Sequence, residues 1–248
     1  MSDQVVFVSD TGQALTVGDL DKPVEGLPSW RVLVEAQRLH QEGRAAGSKN
    51  ELARALECFE QAYNLSPEWP YPRYDAAFTV LLLDDPVRAA QLYEEVDRLC
   101  PGGFYTCKTT LAMLRRELAG EFFPGFAKAF MQLEWITDAD HKAGMLAGIV
   151  EKYPDFAPGW KELAALLRDP EQRLYALYRG LKADPDPETK GMLAANLGLA
   201  LAQRGERDAA VRVLAELILD PNRSMAGELH AKNALKQVLG IGGTPDAS

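Results

Sequence analysis

Apolar residues recur along this chain with the spacing of helices that are buried on one face. In the stretch ALECFEQAYNLSP, the small residue Ala55 is followed four residues later by Phe59, three later by Ala62 and five later by Pro67. Positions three or four apart share one helical face, so the small residue lets a neighbouring helix approach while the larger one fills the gap. Proline ends the helix because its ring and missing N–H prevent continuation. The stretch therefore predicts a helix packed against another helix.

The same 4-3-5 spacing occurs five times, which chance alignment does not explain. The later copies are Ala89, Tyr93, Val96 and Pro101; Lys142, Leu146, Ile149 and Pro154; Arg173, Leu177, Gly180 and Pro185; and Ala209, Val213, Glu216 and Pro221. A second apolar helix is predicted before the last three copies, at Phe126, Ala129, Phe130 and Leu133; at Trp160, Leu163, Ala164 and Leu167; and at Leu193, Leu197 and Ala200. Each unit is thus a helical hairpin in which neither helix can bury its face alone.

From about Trp30 to Pro221 the chain resembles the tetratricopeptide-repeat (TPR) proteins. Their repeat is about 34 residues long, which is the separation of Pro67 and Pro101 here, and residues stand where the family has its small, aromatic and proline signatures. The unit NLGLALAQRGERDAAVRVLAELILDP shows the pattern most fully, with Gly205 at the turn between its helices. The resemblance implies an all-α fold, a right-handed solenoid of TPR-like helical hairpins over residues 29–221.

Three departures interrupt the regular repeat. The segment QEGRAAGSKN (41–50) predicts a long inter-helix loop in the first unit, where the family has a tight turn. The third and fourth copies follow each other closely, which predicts a shortened turn. Between Pro101 and Pro154 there is room for one repeat and one additional helix, so an unpaired helix is predicted near 104–118. This additional helix interrupts the repeat period, and we call the interruption the phase slip. It marks either a kink in one solenoid, which is the simpler interpretation, or a boundary between two sub-arrays.

The ends of a solenoid expose an apolar face that needs a cap. Residues 222–240 predict a C-terminal capping helix, and the tail 241–248 is predicted to be disordered. Within residues 1–28, VVFVSDTGQALTV is the part with strand character and predicts a β-hairpin-like element. An isolated hairpin is marginal in water, so residues 4–17 are expected to dock on the first helical hairpin, at SWRVLVEAQRL. Strand pairing with a second molecule is the alternative.

Composition and charge narrow the class of protein. The 248 residues are 47% hydrophobic and 25% charged with a net charge of −9, as in an ordinary globular protein. Lys and Arg form no stripe interleaved with aromatics, which argues against nucleic-acid binding. Neither a signal peptide nor a membrane span is predicted. Three scattered cysteines, Cys58, Cys100 and Cys107, are expected to be reduced thiols in a cytoplasmic protein.

One triplet in the sequence is associated with catalysis, Asp-Thr-Gly at 10–12, which carries the catalytic aspartate in aspartic proteases. Those enzymes bring two carboxylates together on an all-β scaffold, whereas this chain has one triplet followed by helices, so a β-turn is the better interpretation. His40, His141 and His230 have no second ligand at metal-binding helical spacing. No phosphate loop or nucleophile elbow occurs. Neither a cofactor nor a metal is expected.

The resemblance implies a non-enzymatic scaffold or adaptor that binds a peptide or protein segment in a concave groove lined by the first helix of each hairpin. Carried over to this chain, the candidate groove residues are Val34, Arg38, Asp75, Thr79, Leu82, Met131, Trp135, Lys161, Ala165, Arg168, Ala194, Gly198 and Leu201. The set is mostly small and apolar with a few charges, which favours a helix or an extended apolar segment as the partner. The clamp for chaperone C-termini is absent, because no unit has Lys followed four residues later by Asn.

Two other classes stay open. One is an enzyme or enzyme-regulatory domain with a site at the N-terminal element or at the phase slip. The other is a structural protein that assembles through its ends. The sequence leaves the partner and the oligomeric state undetermined.

Overall fold

The structure, a computed structural model, describes residues 3–24 and 29–241. Two short strands, β1 (Val5–Val8) and β2 (Ala14–Thr16), pair antiparallel. The α-helices are α1 (Val17–Asp21), α2 (Val34–Ser48), α3 (Leu52–Leu65), α4 (Pro70–Leu82), α5 (Pro86–Leu99), α6 (Cys107–Leu118), α7 (Phe126–Met131), α8 (Ala139–Lys152), α9 (Ala157–Leu166), α10 (Pro170–Lys182), α11 (Pro187–Gln203), α12 (Arg207–Leu219) and α13 (Met225–Leu239). A 3₁₀ turn, Gln132–Trp135, follows α7. The predicted all-α, TPR-like fold with a small β element is confirmed.

The chain divides into two compact units. We call Pro28–Trp135 the inserted unit, because it interrupts the sequence of the other; Met1–Leu27 and Ile136–Ser248 form the flanking unit. The division follows helix α6, near which the repeat spacing predicted either a kink or a boundary. The predicted third hairpin is split by it, since α7 belongs to the inserted unit and α8 to the flanking unit.

Within each unit, consecutive helices pack as hairpins. Helix α2 packs on α3 and α4 on α5 in the inserted unit, while α9 packs on α10 and α11 on α12 in the flanking unit. In the first copy of the repeat, Ala55, Phe59 and Ala62 are all buried, as the spacing predicts. Helix α6 packs against α5 and α7, and its Glu117 carboxylate accepts hydrogen bonds from N–H groups at the start of α7. The helix predicted to be unpaired therefore has a short helical neighbour.

The long loop predicted at 41–50 is wrong. Helix α2 continues through this segment to Ser48, and the turn is short, with Asn50 in the left-handed region at φ 62°. The two glycines of the segment suggested a loop, but Gly43 is a packing position. A Cβ placed on Gly43 would lie 2.5 Å from Cε1 of Phe59. The missing side chain lets α2 approach α3 over the Phe59 ring.

The register predicted for the fifth copy is wrong by one residue. Among the buried residues of α12, Ala210, Leu214 and Leu217 keep the 4-3 spacing, and Ala215 and Ile218 are buried beside them. Glu216 is exposed. The facing helix decides this register. A Cβ on Gly198 of α11 would lie 2.5 Å from Cγ of Leu214, so the leucine fills the space that this glycine leaves open.

The N-terminal hairpin docks on the C-terminal helices, and the prediction that it docks on the first helical hairpin is wrong. Leu15 and Leu20 are buried in one apolar cluster, whose buried members also come from α11, α12 and α13. The contact is fixed by polar groups as well, because Nζ of Lys232 on α13 donates to the carbonyl oxygen of Lys22 at 3.1 Å. Lys236 pairs with Asp21 at 2.8 Å.

The predicted capping helix at 222–240 corresponds to α13. Its N-terminus is capped by Ser224, whose hydroxyl accepts a hydrogen bond from the N–H of Gly227. Helix α13 approaches α11 very closely, since a Cβ on Gly191 would lie 2.6 Å from Cα of Gly227. The tail predicted to be disordered lies, beyond Ile241, outside the described residues.

Asp19 holds the start of α1, and its pKa is lowered to about 2. Its carboxylate accepts hydrogen bonds from Nζ of Lys22 at 2.6 Å and from the N–H and hydroxyl of Thr16 at 2.8 and 2.7 Å. These bonds favour the charged form in the folded state only. A depressed folded pKa means that the stabilisation is present above the unfolded value, near 3.8, and is lost as the pH falls towards 2.

We therefore expect the difference in unfolding free energy between the native protein and an Asp19→Asn variant to shrink as the pH falls from about 4 to about 2. An NMR titration of the Asp19 carboxyl carbon measures the pKa directly. A midpoint for Asp19 near 4 would show that the hydrogen bonds to Thr16 and Lys22 do not persist in solution.

Candidate functional site

A groove in the inserted unit brings together four of the residues predicted to line a binding site. Asp75, Thr79 and Leu82 of α4, together with Trp135, line a cavity of about 300 Å³. The remaining lining residues come from α2, α3, the turn between them and α4: Arg44, Gly47, Ser48, Asn50, Leu52, Phe59 and Phe78. The groove therefore lies where the first helices of two successive hairpins meet.

The floor and one wall of this groove are apolar. Phe59 is buried beneath it, and the rings of Phe78 and Trp135 meet edge to face with centroids 6.5 Å apart. The Trp135 side chain is nevertheless 60% exposed. Thr79 contributes little polarity, because its hydroxyl donates to the carbonyl oxygen of Asp75 in the preceding turn at 2.8 Å. A side chain of a partner would meet mostly carbon on these surfaces.

The groove is also lined by a charged group, the carboxylate of Asp75. Oδ2 of Asp75 lies 2.8 Å from Nε2 of His40, a hydrogen bond, and 3.9 Å from Nε of Arg44. His40 is buried, and its ring lies among those of Phe59, Trp69 and Tyr71. The histidine thus fixes the direction of the Asp75 carboxylate from behind. The sequence analysis found no metal-ligand partner for His40 and did not reveal its pairing with Asp75.

A second groove lies at the equivalent place in the flanking unit. It is a cavity of about 280 Å³ between the first helices α9 and α11 and the second helix α10. Its lining residues are Ala164, Ala165, Arg173, Leu177, Asn196, Leu199, Ala200 and Gln203. Of the predicted site residues this groove includes Ala165. The Arg173 guanidinium donates to the carbonyl oxygen of Leu167 from Nε and Nη2, at 3.1 and 2.8 Å, and so caps the end of α9.

The other predicted site residues lie outside these two cavities. On α2, Val34 and Arg38 are exposed, and Arg38 pairs with Glu35 and Glu42 of the same helix. Met131 is half-buried and its sulfur lies 3.7 Å from the Thr110 hydroxyl.

In the flanking unit, Lys161 pairs with Glu162 at 2.8 Å, and the exposed Arg168 lies 3.6 Å from Asp140. Ala194, Gly198 and Leu201 of α11 are buried. Their burial gives these three residues a packing role, so they do not line an open surface.

The Asp-Thr-Gly triplet lies in the turn between β1 and β2, as predicted. The N–H of Gly12 donates to the carbonyl oxygen of Ser9 at 2.9 Å, and Gly12 has φ 82°, a conformation that glycine adopts without strain. Asp10 is exposed. In the part of the chain that the structure describes, no group of three or more His, Cys, Asp or Glu residues is placed to hold a metal ion. The three cysteines are free thiols.

No family model matches this sequence, and no curated protein matches it. Among solved structures, the chain is similar to MamA from residue 41 to its end, from Desulfovibrio magneticus RS-1, at 13% identity and a TM-score of 0.37 over 75% of this chain and 94% of that one. An RS-1 MamA double mutant gives 14% identity and a TM-score of 0.37 over 82% and 98%. A thermophilic TPR protein of Thermus thermophilus is 19% identical to this chain with a TM-score of 0.34, and the match covers 81% of this chain and 98% of that one. The TPR-like class rests on the helical hairpins described above.

None of the helices within residues 3–24 and 29–241 combines the length and the apolar character needed to cross a membrane.

Proposed function

We propose that this protein is a cytoplasmic interaction scaffold that binds a peptide or protein segment in the groove of the inserted unit. The observation that carries the proposal is the open cavity between α2 and α4 with Trp135 at its edge. A tryptophan that is 60% exposed beside Phe78 leaves a large apolar surface in water, and aromatic side chains of this kind are the residues that dominate binding energy at protein interfaces.

The shape of the groove supports a polypeptide partner. Its lining combines apolar rings with a few polar groups at fixed positions, the combination that orients a bound segment. The groove of the flanking unit repeats the arrangement with smaller side chains. The free thiols of Cys58, Cys100 and Cys107 support a reducing location.

We expect a Trp135→Ala variant to lose affinity for groove-binding peptides by at least about 30-fold, since truncating an aromatic anchor at an interface costs about 2 kcal/mol or more. Short random peptides displayed on phage and selected against the full-length protein supply the probes. Fluorescence anisotropy of the selected peptides, synthesised with a dye, measures the affinity. Affinity capture from extract of the native cell then identifies the natural partner.

The matched control is Tyr178→Ala, which truncates a 45% exposed aromatic on α10. This second helix contributes Arg173 and Leu177 to the flanking groove, but Tyr178 is not among the residues that line it. The control variant should bind the same peptides as the native protein. Equal affinity of both variants for every selected peptide would show that the groove of the inserted unit is not the binding site.

A further inference from the structure

We propose that the groove of the inserted unit selects a basic apolar segment: a partner peptide that places a lysine or arginine against Asp75 and a neighbouring apolar side chain against Phe78 and Trp135. This inference rests on the proposed function and specifies the chemistry of the partner. It follows from the fixed direction of one carboxylate, from the loose hold on its present counter-charge and from the aromatic wall beside it.

The Asp75 carboxylate is held in place yet remains accessible. Its side chain is 26% exposed, while that of His40, which holds Oδ2 at 2.8 Å, is only 6% exposed. The histidine ring is packed among aromatic rings and cannot follow the carboxylate if it turns away. A charge whose position is fixed before binding discriminates between partners without an additional ordering cost. An anion fixed in the wall of a largely apolar groove is therefore a recognition point for a cation.

Arg44 is the cation that now faces Asp75, and it is held loosely. Its Nε is 3.9 Å from Oδ2, at the outer limit of an ion pair, and its side chain is 70% exposed. An exposed pair at this distance contributes little to stability. A cation from a partner can displace Arg44 into water and approach Asp75 at hydrogen-bond distance, where a charge-assisted bond is about twice as strong as a neutral one. Arg44 thus occupies the position that we assign to the partner.

The aromatic wall favours the same partner. Phe78 and Trp135 line the cavity together with Asp75, so the stem of a lysine or arginine, or an apolar neighbour, would lie against ring carbon while the charged end reaches the carboxylate. The faces of the rings themselves attract cations. An acidic segment would instead place a negative charge next to the Asp75 carboxylate, and two like charges in contact repel each other.

The groove of the flanking unit lacks this feature. The polar groups among its lining residues are the amides of Asn196 and Gln203 and the guanidinium of Arg173, which already donates to Leu167. No carboxylate is among the residues that line it. The preference for a basic segment is therefore expected of the groove of the inserted unit and not of the groove of the flanking unit.

The test uses the displayed random peptides selected against the full-length protein. We expect the peptides whose binding depends on Trp135 to contain a lysine or arginine next to an apolar residue. Asp75→Asn should lower the affinity for these peptides by at least about 10-fold, which is the loss expected for one charge-assisted hydrogen bond of about 1.5 kcal/mol. Asparagine keeps an oxygen that accepts from His40, so the packing around the histidine is retained. Arg44→Ala should strengthen binding, because the competing cation is removed.

Two controls separate a specific contact from a general charge effect. Glu57→Gln removes one negative charge from the exposed surface of α3 in the same unit and should leave affinity unchanged. Replacing the lysine or arginine of the peptide by glutamine should weaken binding to the native protein but not to the Asp75→Asn variant. This double-mutant cycle also has an arm measured on the native protein alone, which stands even if the variant is poorly folded.

The outcomes are distinct. Trp135-dependent peptides that are acidic or uncharged, or that bind the Asp75→Asn variant as tightly as the native protein, would overturn this inference and leave the proposed function standing. The absence of any Trp135-dependent peptide would overturn both.

Discussion

Deleting residues 2–24 is expected to destabilise the flanking unit strongly. The deletion removes Leu15 and Leu20, which are 2% and 3% exposed and belong to the same buried apolar cluster as Leu214 and Leu235. Loss of a buried leucine costs about 2–5 kcal/mol, and two are lost together. The deletion also takes away the Lys22 carbonyl that accepts a hydrogen bond from the buried Lys232, so the ammonium keeps its ion pair with Glu228 at 2.7 Å but loses one acceptor. Differential scanning calorimetry should show a lower melting temperature for this unit.

Limited proteolysis locates the effect. Helices α11–α13 should become sensitive to protease in the deleted protein, while α2 and α3 of the inserted unit should stay protected as in the native protein. The point variants Leu15→Ala and Val8→Ala form a matched pair, because the second residue is 54% exposed on the same hairpin. An unchanged melting temperature would refute the docking. A change from dimer to monomer on deletion would show that the hairpin pairs with a second molecule instead.

Phe59→Ala should lower the free energy of unfolding of the inserted unit by about 3–5 kcal/mol, as large-to-small changes of buried phenylalanines do. The ring is 3% exposed and lies against Gly43, whose missing side chain leaves no atom to relax into the cavity. It also flanks His40, with ring centroids 5.6 Å apart. Hydrogen exchange of the α3 amides in urea measures the change for this unit alone.

Phe123→Ala provides the control for this substitution. It removes the same atoms from the same unit, but Phe123 is 47% exposed, so the expected cost is below about 1 kcal/mol. If Phe59→Ala and Phe123→Ala have equal effects, the ring does not fill the space between α2 and α3. The 4-3-5 spacing would then be a coincidence of composition.

The sequence predicts those parts of the fold that depend on the spacing of residues within one helix. Small and large apolar residues at helical spacing, followed by proline, are visible within each copy and give the helices and their pairing into hairpins. The register of the fifth copy was not visible in this way. Ala209 and Ala210, and likewise Val213 and Leu214, are adjacent apolar residues, and both registers satisfy the 4-3 part of the spacing. The choice is made by Gly198 on the facing helix, which the sequence of α12 does not contain.

Longer-range contacts explain the other errors. Glycines normally weaken a helix, so Gly43 and its neighbours suggested a loop, and only the packing against Phe59 shows why the helix tolerates them. The N-terminal hairpin was expected to use the nearest apolar helices in sequence. Its hydrogen bond from Lys232 to Lys22 spans 210 residues, and no periodic pattern encodes a contact of that range.

The candidate groove was predictable only where its residues follow from the register of a single helix. The positions on α4 follow from helix register once the first helix of the hairpin is known, which identifies Asp75, Thr79 and Leu82. Arg44 was not among the predicted residues because the sequence predicts a loop for its segment. The pairing of Asp75 with His40 joins two hairpins 35 residues apart, and a spacing rule within one helix cannot reveal it.

The closure of the N-terminal hairpin onto α13 sets an order of events during translation. The ribosome makes β1 and β2 before the inserted unit, and it makes the helices that cover Leu15 and Leu20 after that unit. The inserted unit lies between them in the chain and can fold while synthesis continues, as compact units generally do. Until α13 is released, the hairpin has no surface to bury its apolar face. From the synthesis of the hairpin until the release of α13, the nascent chain therefore carries an exposed apolar segment to which a chaperone can bind.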